Sequence, residues 1–207
     1  MDFKTAKYIC FILNIFIFIT NVYAGFDMNQ YTIGLGMANL AYKENPSTLQ
    51  STSGTTTSPY AGTASVLPLI IQYEMAQNES RSYYIQAFAP LLTAGKDNFI
   101  YGGVGANFYF KSFSSEAEYN DASMSLKIIP KWRYYWGIDG GVGYLIYTTT
   151  TAKKSDMLVE IGAHAGVIYS VNEKYTLKIE PGFARAISVQ TSSTDMKLFL
   201  GLCKTIH

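Results

Sequence analysis

This chain carries little charge. Asp, Glu, Lys and Arg make up 15% of its 207 residues, against roughly 25% in ordinary soluble domains. It has two cysteines, Cys10 and Cys203. No window after residue 24 holds 18 consecutive apolar residues, which excludes a helix long enough to cross a bilayer there. Neither His-Glu-x-x-His, Cys-x-x-Cys nor Gly-x-Ser-x-Gly occurs, so none of the common zinc, redox or serine-nucleophile signatures is present.

The first two dozen residues read as a segment apart. Lys4 and Lys7 give a positive start, Tyr8 to Thr20 is apolar except for Asn14, and Val22-Tyr23-Ala24 places small side chains where a signal peptidase reads. That is a secretory leader, with cleavage expected after Ala24, and residues 25–207 are expected to form one domain. Cys10 goes with the leader, and the lone Cys203 cannot form an internal disulfide. Removing 1–24 takes two lysines and one aspartate, leaving 14 bases and 14 acids. A neutral chain lacks the basic surplus that phosphate backbones require, which argues against nucleic acid as a partner.

The rest of the chain alternates. Tyr31, Ile33, Leu35 and Met37 share one face and Thr32, Gly34, Gly36 and Ala38 the other. Leu67, Leu69, Ile71, Tyr73 and Met75 oppose Gln72 and Glu74, and Met157, Val159, Ile161, Ala163 and Ala165 oppose Glu160, Gly162, His164 and Gly166. Equivalent patterns run through residues 82–91, 100–111, 136–146, 175–183 and 196–203. Period two is the signature of a strand with unlike faces, and these eight runs are longer than soluble strands. Asn78-Glu79-Ser80 and Val171 to Lys174 read as tight turns, Glu44 to Gly62 as a long polar loop, and Thr148 to Ser155 and Gln190 to Asp195 as shorter ones. Tight turns on one rim and longer loops on the other is the asymmetry of bacterial barrels. Phe113 to Arg133 falls where an eight-strand count wants a tight turn; Ser125 to Ile129 could be a strand, and a count of ten, a plug, a short helix or an extended strand stays open.

The two faces differ in chemistry. Glu74, Asp139, Glu160, His164, Lys178 and Glu180 all fall on the glycine-rich face, and the opposite face is aliphatic and aromatic. In hydrocarbon only helices and closed barrels satisfy the backbone, so the expected fold is an all-β, up-and-down antiparallel transmembrane barrel with greasy side chains outward. The polar set would form a network in the lumen, paired with Lys111, Lys178 or Arg81, since isolated buried ions are costly. Tyr31, Tyr73, Tyr83, Phe110, Trp136, Tyr169 and Tyr175, near strand ends, are expected to make girdles at both bilayer interfaces. The rival reading is a soluble secreted barrel holding a small apolar ligand, which would leave the glycines bare outside with few charges to solvate them.

Gly-rich aromatic strands such as Tyr101-Gly102-Gly103-Val104-Gly105 and Tyr135-Trp136-Gly137-Ile138-Asp139-Gly140-Gly141-Val142-Gly143-Tyr144 resemble the small porin-like outer-membrane barrels of the OmpA, OmpW and OmpX type. The resemblance implies a Gram-negative outer membrane, contact with its lipids and lipopolysaccharide, insertion by the outer-membrane assembly machinery, and the loop 44–62 as the outside contact. It also implies a terminal aromatic residue, which Lys204-Thr205-Ile206-His207 does not supply. No catalytic, cofactor or metal residue is expected. His164 with Glu160, four residues away, is the nearest thing to a general base and its orienting acid. An outer-membrane lipid-modifying enzyme would need a His and a Ser together on the lipid-facing surface, whereas His164 points inward. The expected role is structural, surface-interacting or that of a narrow channel.

Overall fold

A computed structural model describes residues 29–45, 59–78, 80–110, 117–121, 124–128, 131–149, 152–172 and 174–206, with the backbone alone over 117–121 and 124–128. The leader 1–24 and most of the 44–62 loop lie outside these residues. The chain runs β1 (Asn29–Glu44), β2 (Ala61–Asn78), β3 (Arg81–Ala94), β4 (Asn98–Tyr109), β5 (Ala117–Asp121), β6 (Met124–Ile128), β7 (Trp132–Thr148), β8 (Lys153–Ser170), β9 (Tyr175–Ile187) and β10 (Thr191–Ile206). Eight of these close into an antiparallel barrel in the order β1-β10-β9-β8-β7-β4-β3-β2. Closure comes from β1 pairing with β10 along its whole length, Asn29 opposite Ile206 through Glu44 opposite Thr191. No barrel strand is left with an unpaired edge.

The alternation read from the sequence is the wall of this barrel. On β8, Met157, Val159, Ile161, Ala163 and Ala165 are exposed while Leu158, Glu160, Gly162, His164 and Gly166 are buried. The same in-out pattern holds along β1, β9 and β10. Barrel strands of 12 to 18 residues exceed the roughly 9 to 11 that a tilted crossing needs.

Side-chain oxygens set several of the turns. Asn78 Oδ1 accepts the Ser80 amide at 3.0 Å, and Asn172 Oδ1 accepts those of Lys174 and Tyr175 at 2.9 and 2.8 Å. Ser188 Oγ accepts the Gln190 and Thr191 amides at 2.9 and 2.8 Å. Between β3 and β4 the chain reverses through Gly95, whose φ of 115° is open to glycine and strained for other residues.

One open point is answered and three expectations need correction. Within 113–133, the described strands β5 and β6 pair only with each other and add no wall strand; they fall between β4 and β7, on the rim that carries the chain ends of β1 and β10. The expected asymmetry of rims is therefore absent, since this rim holds the long 110–131 connection while the opposite rim turns β3–β4, β7–β8 and β9–β10 over three or four residues. Strand pairing continues through Thr148 opposite Lys153 and Glu44 opposite Thr191, so the polar segments read as loops at 148–155 and 190–195 are mostly strand ends. Finally, the seven aromatics expected to line two girdles all lie toward the terminus rim. There Tyr31 packs on Tyr73 at 4.6 Å between ring centroids, Phe108 on Trp136 at 4.5 Å and Trp132 on Tyr169 at 4.7 Å.

Glycine serves the interior by leaving room. A Cβ on Gly166 would fall inside the Tyr135 ring, and that ring is held by its hydroxyl donating to Glu180 at 2.5 Å. Gly166→Leu is expected to cost roughly 1–3 kcal/mol, the usual range for overpacking a filled interior. Ala87→Leu, on the outward face, should stay within about 0.5 kcal/mol of the wild type. Urea unfolding in detergent micelles, followed by tryptophan emission, measures both; equal effects at the two sites would contradict the assigned faces.

Candidate functional site

The lumen holds the polar side chains that the sequence placed there, and it is full. In the half nearer the termini, Lys178 is 1% exposed. Its Nζ lies 3.0 Å from Glu180 and 3.7 Å from Glu74, and donates to Gln72 Oε1 at 2.8 Å. The ammonium also sits 4.9 Å from the centre of the Tyr135 ring. Glu74 Oε1 accepts Asn107 Nδ2 at 2.8 Å together with the hydroxyls of Ser82 and Tyr109. His164 Nε2 lies 2.8 Å from Asn107 Oδ1 and 3.9 Å from Glu180. The imidazole fits because residue 137 is glycine; a Cβ there would overlap the ring. Residues from β2, β3, β4, β7, β8 and β9 thus meet in one connected network.

A second cluster lies nearer the other rim. Lys197 pairs with Glu160 and lies 3.4 Å from Asp195. Its ammonium also sits 4.1 Å from the Tyr101 ring centre, the distance of a cation–π contact. Asp139 accepts Gln86 Nε2 at 3.1 Å. Around this cluster Leu40, Phe88, Phe99, Tyr101, Leu145, Leu158 and Phe199 form one buried apolar body. At the mouth, Glu44 pairs with Lys154 at 2.7 Å and accepts the Tyr147 hydroxyl at 3.2 Å, and Tyr42 donates to Asp97 at 2.7 Å. A cavity of about 40 Å³ separates the two clusters, bounded by Ile70, Gln86, Asp139, His164, Lys197 and Phe199. It has room for water and not for a solute.

All six residues singled out from the sequence face this interior, but they are not one network. Glu74, His164, Lys178 and Glu180 belong to the first cluster, Glu160 and Asp139 to the second. His164 and Glu160, weighed together as a general base and its orienting acid, do not meet: Glu160 binds Lys197, and His164 sits in the polar network with Asn107 and Glu180. Arg81 is no lumen partner either, being exposed at the turn with its guanidinium 5.4 Å from the Phe108 ring centre; Lys111 lies outside the described residues. The sequence reading missed Lys197 and Asp195 as partners, because Asp195 was counted as loop. Extending β10's period two back from Leu198 through Lys197 and Asp195 to Thr191 would have found both.

The charges are sorted by sign. Among the described residues, all nine exposed charged side chains are Lys or Arg, and no carboxylate is exposed. Those residues also include no Ser, Thr or Cys hydrogen-bonded to His164, and no group of three His, Cys, Asp or Glu placed to hold a metal.

This architecture, a closed eight-stranded barrel with an apolar exterior and an ionic interior, is that of the small outer-membrane β-barrel proteins. The chain is similar to the outer-membrane protein OprG of Pseudomonas aeruginosa, with a TM-score of 0.52 and 11% identity over 88% of this chain and 98% of that one. It also matches neisserial surface protein A (NspA; TM-score 0.46, 11% identity, 83% and 96% covered) and Ail, the attachment invasion locus protein of Yersinia pestis (0.42, 12%, 84% and 98%). No protein-family model matches the sequence, and neither does any curated protein.

Removing one member of a buried ion network strands the others, a loss of about 3–5 kcal/mol in comparable sites. Lys178→Met is expected to fall in that range, with Glu74 and Glu180 left facing each other. The triple variant Glu74→Gln, Lys178→Met, Glu180→Gln should recover most of the loss. Denaturant unfolding of the refolded variants measures both, and a triple variant no more stable than Lys178→Met would mean that the pairing is not the source.

Proposed function

We propose that this chain is a closed barrel of the Gram-negative outer membrane that acts through its outer surface rather than by passing solutes or catalysing a reaction. The observation that carries the reading is the filled lumen. Two ion clusters, an apolar body and a cavity with room only for water lie along the path that a porin keeps open. The extracellular contact is assigned to the 44–62 loop, which leaves the barrel where the Glu44 amide donates to Tyr60 at 2.9 Å. Export by the leader 1–24, residence among outer-membrane lipids and insertion by the assembly machinery belong to the same reading.

The narrow-channel alternative draws on the same polar lumen, but its ions bind one another instead of lining a water column. A soluble carrier of an apolar ligand would need a cavity of ligand size, whereas the space between Ile70, Gln86, Asp139, His164, Lys197 and Phe199 holds only about 40 Å³. A lipid-modifying enzyme would need its histidine at the lipid, and His164 is buried inside.

Recording across planar bilayers tests this. The refolded chain, verified by a folded band that shifts on heating, is expected to give no unitary conductance steps. Regular steps from protein of that verified state would overturn the closed-barrel reading and restore the channel.

A further inference from the structure

β5 and β6 form a two-stranded hairpin that belongs to no wall of the barrel. Register sorts its residues by face, because directly opposite residues share a face and successive rungs alternate. Ala117 opposite Ile128, Tyr119 opposite Leu126 and Asp121 opposite Met124 make one set. Glu118 opposite Lys127 and Asn120 opposite Ser125 make the other. The first face is apolar except for Asp121 at the tip, and the second is wholly polar. Two strands alone are marginal in water and need their apolar face covered. The barrel strands do not supply that cover, since β5 and β6 pack broadly only on each other.

We propose that this hairpin is an interfacial anchor: it lies on the phospholipid surface at the terminus rim, with the face of Ala117, Tyr119, Met124, Leu126 and Ile128 against the lipid and the face of Glu118 and Lys127 against water. The inference rests on the outer-membrane reading above and goes further by giving the 110–131 connection a partner. Continuity with the lipid-facing wall carries it. The hairpin hangs from the ends of β4 and β7, where Phe110, Trp132 and Tyr134 are exposed on the outward face, and the Phe110 amide donates to Tyr134 at 3.0 Å. Ile128 comes four residues before Trp132, a reach of at most roughly 14 Å, so the base of the hairpin stays at the level of those rings. The barrel's own end offers the apolar face nothing. Gln30, Arg133, Ser170, Thr176 and Thr205 are buried there, and Gln30 Nε2 donates to Thr205 at 3.1 Å. Segments with one apolar face settle at the headgroup–acyl boundary, and a tyrosine in the apolar set suits that depth. Glu118 opposite Lys127 cancels in charge, so the anchor needs no anionic lipid.

The test compares neighbouring positions of β6. In a background lacking Cys10 and Cys203, Leu126→Cys and Lys127→Cys each carry an environment-sensitive fluorophore, and the refolded chain is placed in phosphatidylcholine nanodiscs, which leave both rims open to water. Shallow brominated lipid is expected to quench the label at 126 at least threefold more than the label at 127. Aqueous iodide should do the reverse, and added salt should leave both patterns in place. Equal access of iodide to the two labels would mean that the hairpin stands in water, and it overturns the anchor. So does a label at 126 shielded from both quenchers, which would mean that protein covers the face, either the barrel end or a second copy. In both cases the membrane reading stands. A chain that stays in water and does not enter discs overturns both. The heat-shifted gel band checks that each labelled chain is folded, and Tyr119→Cys with Asn120→Cys repeats the comparison on β5 if a β6 variant is not.

Discussion

A backbone that crosses hydrocarbon must find every hydrogen-bond partner within the protein, because lipid offers none. Here that demand is met by the sixteen-residue ladder between the first strand and the last. Once the sheet is closed, each strand has only two directions in which to send a side chain. Period two in the sequence then becomes a partition between lipid and lumen. On the membrane reading, acyl chains solvate the Ile, Leu, Val, Met and aromatic exterior, and the interior can be ionic because its charges meet one another.

The closed lumen follows from barrel size. Eight strands enclose a space that side chains fill, so acids, bases and rings that enter it are forced into contact. Glycine governs which contacts form. Gly137 makes room for the His164 imidazole and Gly166 for the Tyr135 ring, and those two rings flank the Glu180 carboxylate. The ionic network is thus placed as much by missing side chains as by present ones. Among the described residues the same partition leaves the outer wall without exposed carboxylates, and the neutrality of residues 25–207 conceals that the two surfaces differ in character.

Much of this was legible in the residues. The eight barrel strands, their in-out faces and the inward direction of Glu74, Asp139, Glu160, His164, Lys178 and Glu180 all follow from alternation, which is local. Who pairs with whom does not, because it depends on barrel registry. Glu160 on β8 meets Lys197, 37 positions on, over the intervening β9, while His164, nearer in sequence, turns to Asn107 and Glu180. Polar residues at the strand ends misled for a related reason. Thr148, Lys153 and Thr191 look like loop residues, yet the pairing of β7 with β8 and of β10 with β1 extends through them. The seven aromatics read from strand ends gather on the terminus rim, while Tyr144 and Phe183 face outward toward the other.

The inside-out arrangement is tested most directly by the chain's own two tryptophans. Trp132 and Trp136 both point outward from β7, 51% and 46% exposed, with Trp136 four residues further from the rim. In vesicles made with lipids brominated along the acyl chain, both are expected to be quenched, the deeper Trp136 more strongly, as single Trp→Phe variants would resolve. Neither should respond to iodide in the water. Quenching by iodide with no effect of brominated lipid would place the apolar wall in water and contradict the membrane barrel.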